Sequence, residues 1–276
     1  MKVMIDPGHC GSTTNQSPVD PAYYESATVW KLGVYLYQEL KRRGVEAELT
    51  RHSIDEDVGL FERGHRSEGY DLFISVHTNS TGDNKPSDLA DFPVCYTQVS
   101  GMTDDIADMF LRRLEKELGS KNSGYKEAKK NDDGEDWYGV LRGAASVGTP
   151  GIIVEHGFHT CPANVWKLEQ DDFLRTLASA DADVIQQWWA YKTKSDIVQP
   201  SASSLYGKVC NVPAGDPGLN VRMGPGTNYP TIANHNLLGN GNLVDIFGRN
   251  NDQTWVYIRI AGQYFGWVNA HYISLS

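Results

Sequence analysis

Three short apolar runs, each closed by an imidazole or a carboxylate, constrain the fold of this chain more than any other feature. The closing side chains are His9, His77 and Glu155, and the runs are Val3–Ile5, Leu72–Val76 and Ile152–Val154. Runs of this length without polar alternation are typical of strands buried on both faces of a parallel sheet. Parallel strands bring their carboxyl ends to one edge of the sheet, so we expect the three side chains to meet there.

The first two thirds of the chain alternate apolar runs with helical segments. This alternation predicts an α/β domain over residues 1–191, with a mostly parallel sheet flanked by helices. One helix is expected to begin at Glu25, and a long one to run from Pro162 to about Trp189. Residues 120–136 are rich in Lys, Asn, Asp, Glu and Gly, which predicts a mobile surface loop.

The pattern changes after this domain. Residues 192–204 are polar and predict a linker. Residues 205–276 lack a helical period and show short apolar runs split by Gly, Asn and Pro, which predicts a small all-β barrel. We therefore expect two domains with separate tasks.

Composition excludes several classes of function. The formal net charge of −10 argues against nucleic acid as a partner. No stretch approaches the roughly 18–20 apolar residues that span a bilayer, so membrane insertion is not expected. No signal-peptide pattern is visible at the N-terminus, and we expect a protein made in the cytoplasm. The four cysteines are widely spaced, which favours free thiols over disulfides.

Two imidazoles and nearby carboxylates at one sheet edge predict a hydrolytic zinc site. His9 and His77 are the first candidate ligands, and Glu25 is the best third ligand because a helix start can face the same edge. A second carboxylate that does not bind metal is needed as a proton carrier. Glu155 fits this role, since a carboxylate after an apolar run is otherwise costly to bury.

Each residue also has a simpler interpretation. A histidine at a strand end can be a hydrogen-bonded structural residue, and Glu25 can be a charge favoured by the helix dipole. Glu155 could pair with Arg63 or Arg142. Cys10 could be a soft ligand, although neighbouring residues seldom aim at one point. The strand period turns His156 away from Glu155, and His159 is expected in the wall of the pocket rather than as a ligand.

Five motifs, in order and suitably spaced over residues 1 to about 190, closely resemble the zinc N-acetylmuramoyl-L-alanine amidases of the AmiC/CwlC-like catalytic type. The motifs are Ile5-Asp6-Pro7-Gly8-His9, Glu25, Leu60-x-x-Arg63, Asp71 to Asn79, and Val154-Glu155-His156-Gly157-Phe158. Two positions depart from the usual pattern. Cys10 stands where glycine is common, and His159-Thr160 replaces a more usual apolar-Ser-Asn ending.

The resemblance implies a cell-wall hydrolase that cleaves the bond between the lactyl group of N-acetylmuramic acid and L-alanine. It implies Zn²⁺ on His9, Glu25 and His77, a zinc-activated water as nucleophile, and Glu155 as the catalytic residue. Asn79, Arg63 and Trp137 are candidate substrate-binding residues, Trp137 because it lies at the end of the predicted loop.

The C-terminal part also resembles a known module. The segments Leu219 to Tyr229 and Gly266-Trp267-Val268 are similar to the opening and closing signatures of bacterial SH3-like (SH3b) domains. Such modules often bind cell wall, so peptidoglycan is the expected partner. Aromatic residues of this part could contact glycan or peptide, although at least half of them should lie in the barrel core.

A wall hydrolase without a visible signal peptide suggests a phage endolysin, which collects in the host cytoplasm and reaches the wall after release. Three alternatives stay open. They are a bacterial autolysin exported by another route, a zinc peptidase that cuts within the stem peptide, and a non-catalytic wall-binding protein. The sequence does not indicate the oligomeric state.

Overall fold

A computed structural model of the chain describes residues 1–193, 205–227, 229, 231–232, 236–250, 252–261 and 264–275. The chain divides into two compact units, Met1–Ile185 and Gln186–Ser276. Apart from residues 192 and 193, the predicted linker 192–204 lies outside the described residues. The predicted boundaries of the domains stay predictions.

The N-terminal unit is built on a six-stranded sheet with the order β2-β1-β3-β6-β4-β5. Its strands are β1 (Lys2–Pro7), β2 (Glu46–Leu49), β3 (Leu72–Asn79), β4 (Val94–Thr97), β5 (Tyr125–Glu127) and β6 (Gly151–Phe158). Strands β2, β1, β3 and β6 are parallel to one another, and β4 is antiparallel to β6. The predicted mostly parallel sheet is confirmed. His9 follows β1, and His77 and Glu155 lie within β3 and β6, so the three residues come from strands that lie side by side.

Helices flank this sheet. They are α1 (Glu25–Arg42), α2 (Leu60–His65), α3 (Asp104–Leu118), α4 (Gly139–Ser146), α5 (Pro162–Leu168) and α6 (Asp171–Lys192). Helix α1 begins at Glu25 as predicted, because the 3,4-spaced Val29, Leu32 and Leu36 are fully buried. The single long helix predicted from Pro162 was wrong. The chain leaves the helix at Glu169, and α6 restarts at Asp171 and Asp172, where carboxylates favour a helix start.

Helices α2 and α4 meet main chain to main chain over the sheet. A Cβ atom added at Gly64 would lie 1.9 Å from the Val140 carbonyl oxygen, and one at Gly143 would lie 2.0 Å from the Phe61 carbonyl oxygen. Only glycine therefore permits this approach. Helix α4 also packs on the sheet, because Val140, Leu141 and Ala144 share a buried cluster with Met4, Phe73 and Ile153.

The predicted loop 120–136 contains a strand. Strand β5 pairs in parallel with β4, with Tyr125 opposite Val94. The segment escaped prediction because Tyr125-Lys126-Glu127 is short and lacks an apolar pattern, so its strand form depends on the partner rather than on local preference. Gly124 allows a close crossing, since an added Cβ atom there would lie 2.4 Å from the Pro93 carbonyl oxygen.

The C-terminal unit is all-β, as predicted. Its strands are β7 (Leu205–Val209), β8 (Leu219–Asn220), β9 (Leu237–Leu238), β10 (Leu243–Arg249), β11 (Trp255–Ile260), β12 (Tyr264–Asn269) and β13 (Ile273–Leu275), with a 3₁₀ turn at Ala270–Tyr272. Five form an antiparallel sheet, β12-β11-β10-β7-β13, and β8 pairs with β9. Val256 and Ile258 lie in its aliphatic core, whereas Trp255 and Tyr257 are buried in an aromatic cluster.

In the part of the chain that the structure describes, no helix has the length and apolar character that a membrane crossing requires.

Candidate active site

The structure brings His9, Glu25 and His77 together at the edge of the sheet. His9 follows β1 after Gly8, Glu25 is the first residue of α1, and His77 lies near the end of β3. One potential ligand atom from each residue lies within 4.8 Å of the others. Glu25 is buried, whereas the two histidines are partly exposed, so the cluster opens on one side to solvent.

The carboxylate of Glu25 lies between the two imidazoles. Its Oε2 is 2.9 Å from His9 Nε2, and its Oε1 is 3.0 Å from His77 Nδ1. The Asn15 side-chain amide donates to Oε2 at 2.8 Å, and the Thr78 backbone N–H donates to Oε1 at 3.0 Å. Burial opposes the charge on Glu25, but its hydrogen bonds with His77 and His9 outweigh burial and hold its pKa well below the usual value.

The turn that presents His9 is constrained on several sides. His9 has a left-handed backbone with φ of 62°. A Cβ atom at the preceding Gly8 would lie 2.3 Å from the His77 ring, so only glycine lets the turn cross this ring. Arg51, which is fully buried, donates from one terminal nitrogen to the Pro7 carbonyl at 2.7 Å and to the Gly8 carbonyl at 3.2 Å. Arg51 thus fixes the main chain before His9.

Glu155 faces the same site from the neighbouring strand. It pairs in register with His77 across β3 and β6, and it is 8% exposed. Its Oε2 atom is buried and has no hydrogen-bond partner among the described residues. Burial and, after it, the negative charge of Glu25 raise the pKa of Glu155 well above the usual value. Glu155 is therefore a carboxyl group suited to holding a proton.

His156 turns to the other face of the sheet, as predicted. Its Nε2 lies 2.9 Å from Asp181 Oδ2 on α6, and its Nδ1 lies 3.2 Å from the His77 carbonyl oxygen. His156 and Asp181 are both fully buried. Burial opposes the charged imidazolium, but the carboxylate of Asp181 outweighs burial and raises the pKa of His156. Through its contact with the His77 carbonyl, the His156–Asp181 pair supports the main chain at His77 from the opposite face of the sheet.

His159 lines a cleft beside the cluster. The cleft has a volume of about 320 Å³, and uncharged polar side chains such as Asn15, Ser17 and Ser80 form its walls. His159 Nδ1 lies 2.9 Å from the Thr78 carbonyl oxygen and 3.9 Å from Glu25 Oε2. Burial lowers the pKa of His159, which favours the neutral imidazole. The structure thus places His159 in a pocket wall.

The candidate substrate residues lie in different surroundings. Asn79 is partly buried at the end of β3, next to the site. Trp137 is half exposed, with the Lys129 ammonium 4.6 Å from its ring centroid. Arg63 is buried, donates to the Val58 carbonyl at 2.7 Å, and lies 3.7 Å from Asp6 Oδ1. The guanidinium of Arg63 therefore contacts the Val58 carbonyl and Asp6 of β1 rather than Glu155.

Two further alternatives were Arg142 as a partner of Glu155 and Cys10 as a metal ligand. Arg142 donates to the carbonyls of Asp136 and Trp137, so its guanidinium is engaged away from Glu155. Among the described residues, the cluster that could hold a metal ion consists of His9, Glu25 and His77 and does not include Cys10.

The cluster fits a metal ion by its chemistry. Two imidazole nitrogens and a carboxylate oxygen, which the low pKa of Glu25 keeps ionised, form the donor set of catalytic zinc sites with three protein ligands. The hydrogen bonds from Asn15 and Thr78 orient the carboxylate as outer partners do in such sites.

Several residues of this site were missed from the sequence. Asn15 and Arg51 act on Glu25 and on the His9 turn, but each lies in a segment without a recognisable pattern. Asp181 offered a signal, because it interrupts the small apolar residues Ala180 and Ala182 in the middle of a helix. A polar residue at such a position indicates a buried partner.

Comparison with known proteins identifies both units. A family model described as N-acetylmuramoyl-L-alanine amidase matches residues 3–187, and one described as bacterial SH3 domain matches residues 217–274. The chain is 28% identical over 187 residues to the N-acetylmuramoyl-L-alanine amidase CwlM of Bacillus licheniformis, with 66% of each protein covered. It is 26% identical to the sporulation-specific N-acetylmuramoyl-L-alanine amidase of Bacillus subtilis (strain 168), covering 75% of this chain and 72% of that protein.

Solved structures agree with this assignment. The amidase AmiC2 of Nostoc punctiforme superposes with a TM-score of 0.57 at 26% identity, covering 68% of this chain and 97% of that one. Cwp6 from Clostridium difficile gives a TM-score of 0.59 at 26% identity, covering 67% of this chain and 28% of that one. The alignments thus span about two thirds of CwlM and just over a quarter of Cwp6. Because the amidase model covers more than half of the chain, this chain belongs to the N-acetylmuramoyl-L-alanine amidase family.

Proposed function

We propose that this protein hydrolyses peptidoglycan at the amide bond between the lactyl group of N-acetylmuramic acid and L-alanine. The observation that supports the proposal best is the cluster of His9, Glu25 and His77 directly beside the buried Glu155, in a chain of this family. We further propose that the three clustered residues hold Zn²⁺ and that Glu155 is the catalytic acid and base.

A bound zinc ion would supply a Lewis acid and lower the pKa of a water. The protein residues would then control position and protons. Glu25 stays ionised between the two imidazoles, held by Asn15 and Thr78. Glu155 accepts a proton as the oxygen of water forms its bond to the lactyl carbonyl carbon. Glu155 then donates that proton to the nitrogen of L-alanine as the carbon–nitrogen bond breaks.

Glu155 suits both steps because of its surroundings. A general base works best when its pKa approaches the working pH, and burial moves the pKa of Glu155 upward in that direction. The unpartnered Oε2 atom is free of competing donors among the described residues.

We propose that the C-terminal unit binds cell wall and holds the catalytic unit near its substrate, which raises the local substrate concentration. The match to the bacterial SH3 domain supports this role. We also propose a role as a phage endolysin, made in the host cytoplasm and acting on the wall after release. A bacterial autolysin is the alternative, and lysis by the expressed protein only when a membrane-permeabilising phage protein is co-expressed would favour the endolysin.

Digestion of purified Gram-positive peptidoglycan, with and without a chelator, tests the proposed activity. We expect intact stem peptides with a free L-alanine amine, seen by mass spectrometry, and no release after chelation until zinc is restored. Cleavage inside the stem would show a zinc peptidase instead. Full activity of the metal-free protein would contradict the zinc assignment, and binding to wall without any cleavage would indicate a non-catalytic protein.

A further inference from the structure

A second groove lies beside the candidate active site, on the face of the sheet that carries Glu155. Its volume is about 420 Å³, and it is lined mostly by the segment 80–92, together with residues from the ends of β3 and β6 and from β4 and β5. In the antiparallel pairing of β4 with β6, Val94 lies opposite Glu155 and Tyr96 opposite Ile153. Paired residues share a face, so Tyr96 in the groove wall and Glu155 lie on the same side.

Aromatic rings form the floor of this groove. The Phe92 ring centroid lies 4.9 Å from that of Phe158, edge to face, and 6.0 Å from that of Tyr125. Tyr125 is 45% exposed, and Leu89 at the rim is 81% exposed. Adjacent apolar side chains left open to solvent in a shallow depression form a surface that a ligand with an apolar face can cover.

The groove carries no charge. None of the described residues that line it is acidic or basic, and the polar part of its rim includes Asn79, Ser80, Thr81 and Ser87. Burial and the neighbouring Tyr96 raise the pKa of Tyr125 to about 12, so its hydroxyl group is neutral at physiological pH. The groove therefore suits a neutral ligand with apolar faces and with hydroxyl or amide groups at its edges.

Residues of the groove neighbour those of the candidate active site along both β3 and β6. Asn79 in its rim follows His77 by two residues, and Phe158 in its floor follows Glu155 by three. A register shift after His77 places Asn79 opposite Phe158 across the two strands. A ligand in the groove can therefore be covalently continuous with a group held between the metal cluster and Glu155.

We propose that this aromatic groove binds N-acetylated sugar rings of the glycan strand, next to the muramic acid whose lactyl group is cleaved. The inference rests on the proposed amidase function and extends it. Sugar rings present apolar C–H faces that stack on aromatic rings, and their hydroxyl and acetamido groups match the Asn, Ser and Thr side chains of the rim. The stem peptide carries carboxylates and amines, for which this groove offers no opposite charge.

Binding of chitotetraose, a neutral oligomer of N-acetylglucosamine, to the full-length chain tests the proposal. We expect Tyr125→Ala to weaken binding about threefold to tenfold, the range for loss of one aromatic stacking contact. Trp166→Ala is the matched control, because Trp166 is 68% exposed but lies on α5 outside the groove. Affinity is measured by titration calorimetry on wild type and both variants. Any binding by the C-terminal unit is the same in all three proteins, so it cancels when their affinities are compared.

Two further measurements keep the test decisive. Tyr125→Leu preserves apolar bulk without a ring, and it should weaken binding as Tyr125→Ala does, with thermal unfolding used to verify that each variant is folded. The peptide L-alanyl-D-glutamyl-L-lysine should not compete with the sugar. Equal sugar affinity in wild type and both Tyr125 variants would overturn the proposal, and so would displacement of the sugar by the peptide.

The binding assay is independent of turnover, because chitotetraose has no lactyl–alanine amide bond to cleave. If wall digestion releases amidase products while the Tyr125 variants bind sugar normally, the groove assignment fails and the proposed function stands. If digestion releases no amidase products, the proposed function fails on that result alone.

Discussion

Two carboxylates of the candidate site, Glu25 and Glu155, are buried to a similar degree and have opposite electrostatic surroundings. Glu25 is 3% exposed and Glu155 is 8% exposed. Both oxygens of Glu25 lie within hydrogen-bond distance of imidazole, amide or backbone N–H groups, and its pKa is lowered. Glu155 has a buried oxygen without a partner, and its pKa is raised. Partners, rather than burial, therefore decide which carboxylate stays charged.

This contrast divides the chemical work. An ionised carboxylate between two imidazoles suits a permanent metal ligand, whereas a carboxyl group with a raised pKa suits proton transfer. The charge on Glu25 itself contributes to the raised pKa of Glu155, so the two roles depend on each other. Substitution of each carboxylate in turn tests this division of roles.

The largest effect is expected at Glu155. Glu155→Gln preserves the shape but removes proton transfer, so kcat on peptidoglycan should fall about 1,000-fold. Zinc affinity, measured by competition with a chromogenic chelator, should stay at the wild-type value. Glu68→Gln, at an exposed position, is the matched control. Retained turnover in Glu155→Gln would remove the proposed difference between the two carboxylates.

The next largest effect is expected at Asp181, a third buried carboxylate, which has one charged partner. Asp181→Asn leaves the buried His156 without its counter-charge and should lower the free energy of unfolding by about 3 kcal/mol. Urea unfolding measures the change, and the exposed Asp172→Asn on the same helix is the control. A loss below about 1 kcal/mol would show that burial rather than pairing dominates here.

Glu25→Gln tests whether the negative charge of Glu25 is needed for zinc binding. Removal of the negative charge between His9 and His77 should weaken zinc binding about 100-fold, at the upper end of the effect of losing an oriented partner of a metal site. Activity at limiting zinc should fall in parallel and recover in part at high zinc. Zinc affinity equal to that of the Glu68→Gln control would argue against Glu25 as a ligand.

The smallest effect is expected at Glu39, a partly exposed carboxylate on α1. Hydrogen bonds from Arg42 and Arg43 lower the pKa of Glu39 from 4.5 to about 2. Because the pKa falls on folding, its stabilisation is present above pH 4.5 and is lost as the pH falls through about 2. Glu39→Gln should cost about 1 kcal/mol at neutral pH. The difference between variant and wild type in the free energy of unfolding, measured with urea, should vanish as the pH falls to about 2. A difference that stays constant at all pH values would contradict this.

The sequence predicted the fold because its strongest signals are local. Apolar runs predicted the parallel strands, and the 3,4 spacing after Glu25 predicted α1. Strand β5 was missed because it has three residues and depends on its partner β4. The break between α5 and α6 was missed because no Gly or Pro marks it, and the polar residues Glu169 to Asp172 are ones that a helix surface also accepts.

The candidate site was predictable where chemistry coincides with strand ends. His9, His77 and Glu155 each follow an apolar run, whereas Glu25 left two interpretations until the structure placed it between the imidazoles. The partners of Arg51 and Asp181 were not predictable, because the contacts join positions far apart in the sequence, although the position of Asp181 in its helix indicated a buried partner. The role of the three clustered residues as metal ligands stays a prediction.

The glycine contact between α2 and α4 has a consequence for variant libraries. Because carbonyl oxygens of the opposite helix approach Gly64 and Gly143 to about 2 Å of a hypothetical Cβ atom, no side chain can be accommodated at either position. A saturation library should therefore return only glycine at both. Exposed neighbours at the start of α2, such as Leu60 and Phe61, should accept many residues. Variant libraries should therefore randomise these exposed positions and leave the two glycines unchanged.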